Sequence, residues 1–173
     1  MISNISEIEL QGIKKRLPGF KKIIEEDESF IKNGNYKKIF ISVFDHWLKS
    51  DEADNQIFVD DNIEELNSRR EKYKTVVEKL YSLTDLYLWK YKRNYRFHIQ
   101  KPLTLNDALR KCDFNNLWSQ RGRQYSFVLP EFSAIYNEEW DWTNIIWYLD
   151  EEKIQPILDI AKSSGLYILK SKN

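Results

Sequence analysis

YSFVLPEFSAIYNEEWDWTNIIWYLDEEKIQPILDIAKSSGLYIL, residues 125–169, decides the fold. Three short apolar runs, residues 125–129, 132–136 and 144–148, are rich in Val, Ile, Phe, Tyr and Trp. Pro130-Glu131 separates the first two and residues 137–142 separate the last two, so the three predict a meander of antiparallel strands. Pro156 is poorly placed inside a helix begun at Asp150 but well placed at the first position of a later one, since that N–H has no helical partner to lose. The helix then turns Ile157, Leu158 and Ala161 to the core, stops at Gly165, and gives way to a last strand over 166–169.

Upstream, Ser6-Glu7-Ile8-Glu9 has the form of a capping box, and Ile5, Ile8, Ile13 and Leu17 share a helical face ended by Pro18-Gly19. Phe20, Ile23, Ile24, Phe30 and Ile31 predict a second short helix closed by Asn33-Gly34-Asn35. Residues 36–47 alternate poorly but are dense in Ile, Phe and Val, which favours a buried strand and leaves a helix open. Residues 50–55 read as a loop and residues 56–59 as a short strand. Asp61 then caps a long helix, with Glu64 completing the box and apolar residues continuing to Tyr91. Unbroken, that helix would run about 45 Å, long for a domain helix, so a break is expected over 82–85, with Ser82 or Thr84 as a new cap. A strand over 95–99 follows, then a third capping box at Thr104 and Asp107 opening a short helix, then a loop over 115–124.

These elements predict a single α+β domain over residues 1–173. Its antiparallel sheet comes mainly from the C-terminal half and is covered by a long central helix and the N-terminal helices. A chain of 173 residues buries about two-thirds of its unfolded surface in one core. The 42% hydrophobic and 14% aromatic content argues against disorder. Lys plus Arg and Asp plus Glu both total 27, so no global field draws in nucleic acid or an anionic membrane, and any electrostatic role must be local. The single cysteine, Cys112, has no disulfide partner in the chain and suits a reducing compartment. Charged residues occupy the first 20 positions where a signal peptide needs an apolar stretch, and no run approaches the roughly 18 apolar residues of a membrane span. Together these readings predict a cytoplasmic protein with no membrane association.

No metal-ligand spacing, phosphate-binding loop or nucleophile elbow is present in the sequence, and neither a cofactor nor a metal is expected. Residues 50–65 carry seven carboxylates, but the spacing matches no calcium loop, and acids in the first turn of the long helix answer its macrodipole. His46 follows Asp45 directly, and in a strand the two side chains would diverge. Neither His46 nor His98 has a nucleophile partner identifiable from sequence. Cys112 lies beside Arg110 and Lys111 but reads as a half-buried, inert thiol.

Two surface patterns carry more. Glu138, Glu139, Trp140, Asp141 and Trp142 join aromatic anchors to carboxylates, and no Lys or Arg falls between Glu131 and Glu152. Such a patch suits docking on a basic partner protein, the aromatics supplying contact energy and the acids steering the encounter. It equally suits two tryptophans that cover one end of the sheet within a solvated hairpin. The alternative is the segment 89–101, where Trp89, Lys90, Lys92, Arg93 and Arg96 alternate aromatic and cationic side chains, as a single-stranded nucleic-acid site requires. A helix end running into an antiparallel strand produces the same alternation, with aromatics inward and cations solvated.

FVLPEF at 127–132, WDWTN at 140–144 and GLYIL at 165–169 resemble the closing portion of small uncharacterised bacterial α+β proteins, some of which are immunity partners of secreted toxins. The resemblance covers the C-terminal quarter. It implies a protein-binding role of the immunity type and assigns no catalytic residue.

Overall fold

In the computed structural model, residues 2–59, 62–91, 97–112, 114 and 126–171 are described. One eight-stranded sheet spans the molecule, with every pairing antiparallel. Its strands are β1 (Ile2–Asn4), β2 (Lys37–Ser42), β3 (Tyr87–Tyr91), β4 (Phe97–Pro102), β5 (Ser126–Leu129), β6 (Ala134–Asn137), β7 (Thr143–Tyr148) and β8 (Tyr167–Lys170), in the order β1-β4-β3-β5-β6-β7-β2-β8. The meander read from residues 125–148 is β5-β6-β7, and strands β3 to β8 all follow residue 86, so the sheet does come mainly from the C-terminal half.

Both faces are covered. Strand side chains alternate by twos. Phe127, Leu129, Ala134, Tyr136, Ile146 and Tyr148 therefore join one core, while Val128, Ile135 and Trp147 join the other. The first core lies under α4 (Ser50–Ile57), α5 (Ile63–Leu83), α6 (Leu105–Leu109) and α7 (Gln155–Ser163). The second lies under α1 (Glu7–Arg16), α2 (Phe20–Ile24) and α3 (Glu28–Asn33). Burial on both faces explains why the strands read as unbroken apolar runs rather than alternating ones.

The helix signals hold where they are local. Ser6 accepts from Glu9 N–H, and the Glu9 carboxylate returns a bond to Ser6 N–H at 2.8 Å. Thr104 and Asp107 repeat the arrangement at α6. Pro156 sits in the first turn of α7, Ile157, Leu158 and Ala161 are buried, and Gly165 adopts φ +80° just past the helix.

Four expectations are corrected. The single short helix after Pro18-Gly19 is two, because Glu26 turns to φ +54° and Asp27 restarts the chain by accepting from Phe30 N–H at 3.0 Å. Residues 50–57 are helix α4, not loop followed by strand. The Glu52 carboxylate accepts Lys49 N–H at 2.8 Å, and Asp51 and Glu52 place negative charge at the helix N-terminus. The run from residue 63 to Tyr91 is not one helix, and no second helix restarts at the expected break. Thr84 is extended, its hydroxyl donates to Glu131 at 2.7 Å, and residues 87–91 form β3 with Leu88 facing one core and Tyr87 and Trp89 the other. The cap of α5 is Asn62, which accepts from Glu65 N–H at 3.0 Å. Asp61, proposed for that role, lies outside the described residues, as do residues 115–124. Finally, β2 stops at Ser42, so residues 43–49 form a turn in which Asp45 and His46 meet rather than diverge.

Candidate functional site

The connection from β6 to β7 places its two tryptophans in opposite environments. Trp142 takes the left-handed conformation, φ +63°, and this turns its ring inward to 5% exposure. There it stacks on Tyr73 of α5 at 6.3 Å between ring centroids and 21° between planes. Its carbonyl accepts three donors: the Tyr73 hydroxyl, the Ser42 hydroxyl at 3.3 Å and Val43 N–H at 3.3 Å. Trp140, two residues earlier, is 62% exposed and stacks on Phe58, itself 52% exposed, at 6.2 Å and 28°.

Phe58 reaches Trp140 because the C-terminus of α4 is tied to the same spot. The last carbonyls of a helix have no partner within it. Here the Ile57 carbonyl accepts the Trp142 indole N–H at 3.1 Å and the Gln56 carbonyl accepts the Arg69 guanidinium at 2.7 Å. Arg69 is buried on α5, paired with Glu65 at 2.7 Å and lying over the rings of Phe44 and Trp142 at 5.2 and 5.7 Å. A cation at a helix C-terminus opposes the negative end of the macrodipole, so one side chain both caps α4 and supports Trp142.

Polar groups beneath the connection fix its path. Asn144 donates to the Tyr136 hydroxyl at 2.6 Å and accepts Glu139 N–H at 2.8 Å, and Asp141 accepts Thr143 N–H at 3.0 Å. Glu138 is 3% exposed. Burial, reinforced by the charges of Asp141 and Glu138, holds the Tyr73 phenol well above its ordinary value. Burial and Glu138 do the same for Tyr136. Burial also pushes the Asp141 carboxyl up from its usual range.

Of the five residues proposed for partner binding, Trp140 is presented, Glu139 and Asp141 are half-buried at its base, and Glu138 and Trp142 lie inside. Phe58 joins the exposed surface and was missed, since its neighbourhood with Trp140 depends on α4. The segment 50–58 and the connection 138–142, far apart in sequence, meet here through Phe58 on Trp140 and Ile57 on Trp142. Asp51, Asp54 and Glu64 are exposed on α4 and on the first turn of α5.

The alternative segment places differently. Trp89 is buried with its ring edge-on to Phe20 at 6.1 Å, so it belongs to the core and offers no face to a base. Lys92, Arg93 and Arg96 lie outside the described residues, as does the side chain of Lys90. His98 is half-buried on β4, and Cys112 is buried with its thiol donating to the Ala108 carbonyl at 3.5 Å. His46 is exposed between Asp45 at 2.5 Å and Glu52 at 3.5 Å. Among the described residues no cluster of three His, Cys, Asp or Glu is placed to hold a metal ion, and no helix is long and apolar enough to cross a membrane.

No protein family, curated protein or solved structure matches the chain, so the functional reading rests on this geometry.

Proposed function

We propose that the chain is a non-enzymatic protein-binding module whose contact surface centres on Trp140 and Phe58 and whose partner presents a basic face. One observation supports this above the others: two large aromatic rings stack on each other while more than half exposed, on a scaffold that buries the neighbouring Trp142. A soluble protein exposes such rings at a cost, and aromatic anchors surrounded by polar groups are the usual centre of an interface. Exposed Asp51, Asp54 and Glu64 and half-buried Glu139 and Asp141 belong to the segments that bring the pair together, and such carboxylates favour a cationic partner and speed the encounter. A basic cleft evolved to hold nucleic acid has the matching charge, so an inhibitor of a nucleic-acid-processing toxin, acting in the cytoplasm, is the specific form of the proposal.

Affinity capture with quantitative mass spectrometry tests it, using the wild-type chain, Trp140→Ala, Phe58→Ala and Glu139→Lys. A partner with a basic surface should be retained by the wild type. It should weaken by about 2 kcal/mol or more, roughly thirty-fold, in Trp140→Ala, with a slower, less salt-sensitive association in Glu139→Lys. A specific partner held equally by Trp140→Ala and Glu139→Lys would show that the surface is misassigned.

A further inference from the structure

A second site lies at the opposite end of the strands, beside the turn that joins β5 to β6. Glu9, Gly12, Ile13 and Arg16 recur at helical spacing along one stripe of α1 and form one wall of an open cleft of about 230 Å³. Asp85, just before β3, and Tyr87, at its start, with Pro130 and Glu131, in the 3-10 turn Pro130–Phe132, form the others.

The polar groups of the cleft are held in place yet only half used. Glu9 binds the Ser6 N–H and hydroxyl through Oε2, both at 2.8 Å. Glu131 accepts the Thr84 hydroxyl through Oε2 at 2.7 Å, and Asp85 meets Lys101 through Oδ1 at 2.6 Å. Among the described residues, the other oxygen of each carboxylate has no donor. Arg16 makes no ion pair with any of them. Glu9 and Arg16 are seven residues apart, about 10.5 Å along the helix axis, too far to neutralise one another directly.

Two features bear on a ligand. Tyr87 is 7% exposed overall, but its hydroxyl reaches the cleft, where it makes no hydrogen bond to a described residue. Burial, with Asp85 nearby, keeps that hydroxyl protonated well past neutral pH, so it stands as a donor. Gly12 sits mid-helix, where glycine weakens a helix relative to alanine, and a Cβ built on it meets nothing within 4 Å. Neither a positive φ nor a close approach requires glycine there. Its one structural effect is to leave the cleft open.

Three carboxylates with Arg16 and Lys101 repel a simple anion and set a guanidinium against a simple cation. A molecule carrying both charges satisfies both. We infer that the cleft binds a small zwitterion of the amino-acid class, its ammonium on the free oxygens of Asp85 and Glu131 and its carboxylate on Arg16 and the Tyr87 hydroxyl. The site is independent of the aromatic surface, and a partner protein at Trp140 leaves it open.

The test is an NMR titration of the full chain with glycine, β-alanine and γ-aminobutyrate, with acetate and methylammonium as single-charge controls. At least one zwitterion should give saturable shifts at the Gly12 and Tyr87 amides with an affinity in the millimolar range, about tenfold or more tighter than either control. Arg16→Ala and Tyr87→Phe should weaken it. Gly12→Leu should abolish it while the melting temperature holds or rises, because the new side chain enters open space on a helix that gains propensity. The inference is overturned if no zwitterion gives saturable shifts at these amides, if a single-charge control binds as tightly, or if Gly12→Leu binds unchanged.

Discussion

Replacing Trp142 with alanine should cost far more stability than replacing Trp140, though the residues lie two apart in one connection. Truncating a buried tryptophan removes its transfer free energy and leaves a cavity, together about 3–5 kcal/mol. Here the loss includes the stack on Tyr73, the indole bond to the Ile57 carbonyl and the ring under Arg69. Against a net stability of roughly 5–15 kcal/mol, that leaves the variant close to unfolding. Trp140→Ala removes a ring 62% exposed and should cost below about 1 kcal/mol. The backbone gives an internal check. Trp142 has φ +63°, and a side chain in the left-handed region costs about 1–2 kcal/mol that glycine avoids. Trp142→Gly should therefore be more stable than Trp142→Ala by about 1 kcal/mol, the reverse of the usual order. Urea unfolding followed by far-ultraviolet circular dichroism measures all three, tryptophan fluorescence being unsuitable when the substitutions remove the fluorophore. Equal costs for Trp140→Ala and Trp142→Ala, or a glycine variant less stable than the alanine one, would refute the reasoning.

Two further predictions concern ionisation. The bond from Asp45, helped by Glu52, raises the His46 pKa above its ordinary 6.5. The native state then holds the proton more tightly, so His46 contributes stability fully below the unfolded value and loses it as pH rises through the folded one. An NMR titration of the imidazole should give a midpoint above 6.5 that falls back in Asp45→Asn; a wild-type midpoint at or below 6.5 would refute the arrangement. Asp141 is a carboxyl raised by burial, so its ionisation destabilises the native state as pH rises through its folded midpoint. Asp141→Asn removes the charge while its amide oxygen still accepts Thr143 N–H. Urea unfolding should find it more stable than wild type at neutral pH, with the difference shrinking in acid, and a less stable variant at neutral pH would count against the assignment.

What could be read from the chain was what is local. The boxes at Ser6 and Thr104, Pro156 at the head of α7 and Gly165 beyond it each act within one turn, so their residues state them openly. Helix α4 was not legible because its support comes from elsewhere: the groups on its last two carbonyls are Arg69 and Trp142. Residues 87–91 continue the apolar spacing of α5, and only the pairing with β4 and β5 makes them a strand. Phe58 was lost from the candidate surface with α4. The fates of Trp140 and Trp142 were hidden for another reason. A period of two places both on one side of a strand, and the left-handed turn at Trp142 that separates them depends on the donors gathered around its carbonyl.

Those donors also bear on the proposed function. Tyr73 comes from α5, and Ser42 and Val43 come from the end of β2, so the carbonyl of one residue joins the long helix and the strand next to the sheet's edge to the connection that carries Trp140. The same residue's indole holds the end of α4, and with it Phe58. Both halves of the exposed aromatic pair are thus anchored through Trp142 as well as stacked on each other. Little ordering entropy remains to be lost when a partner docks, which lets a small contact area reach useful affinity. Truncating Trp142 should then weaken partner binding although its ring never touches the partner, whereas truncating Trp140 should weaken binding with the fold intact. That pairing of effects separates an anchored binding surface from two tryptophans that merely close the end of a sheet.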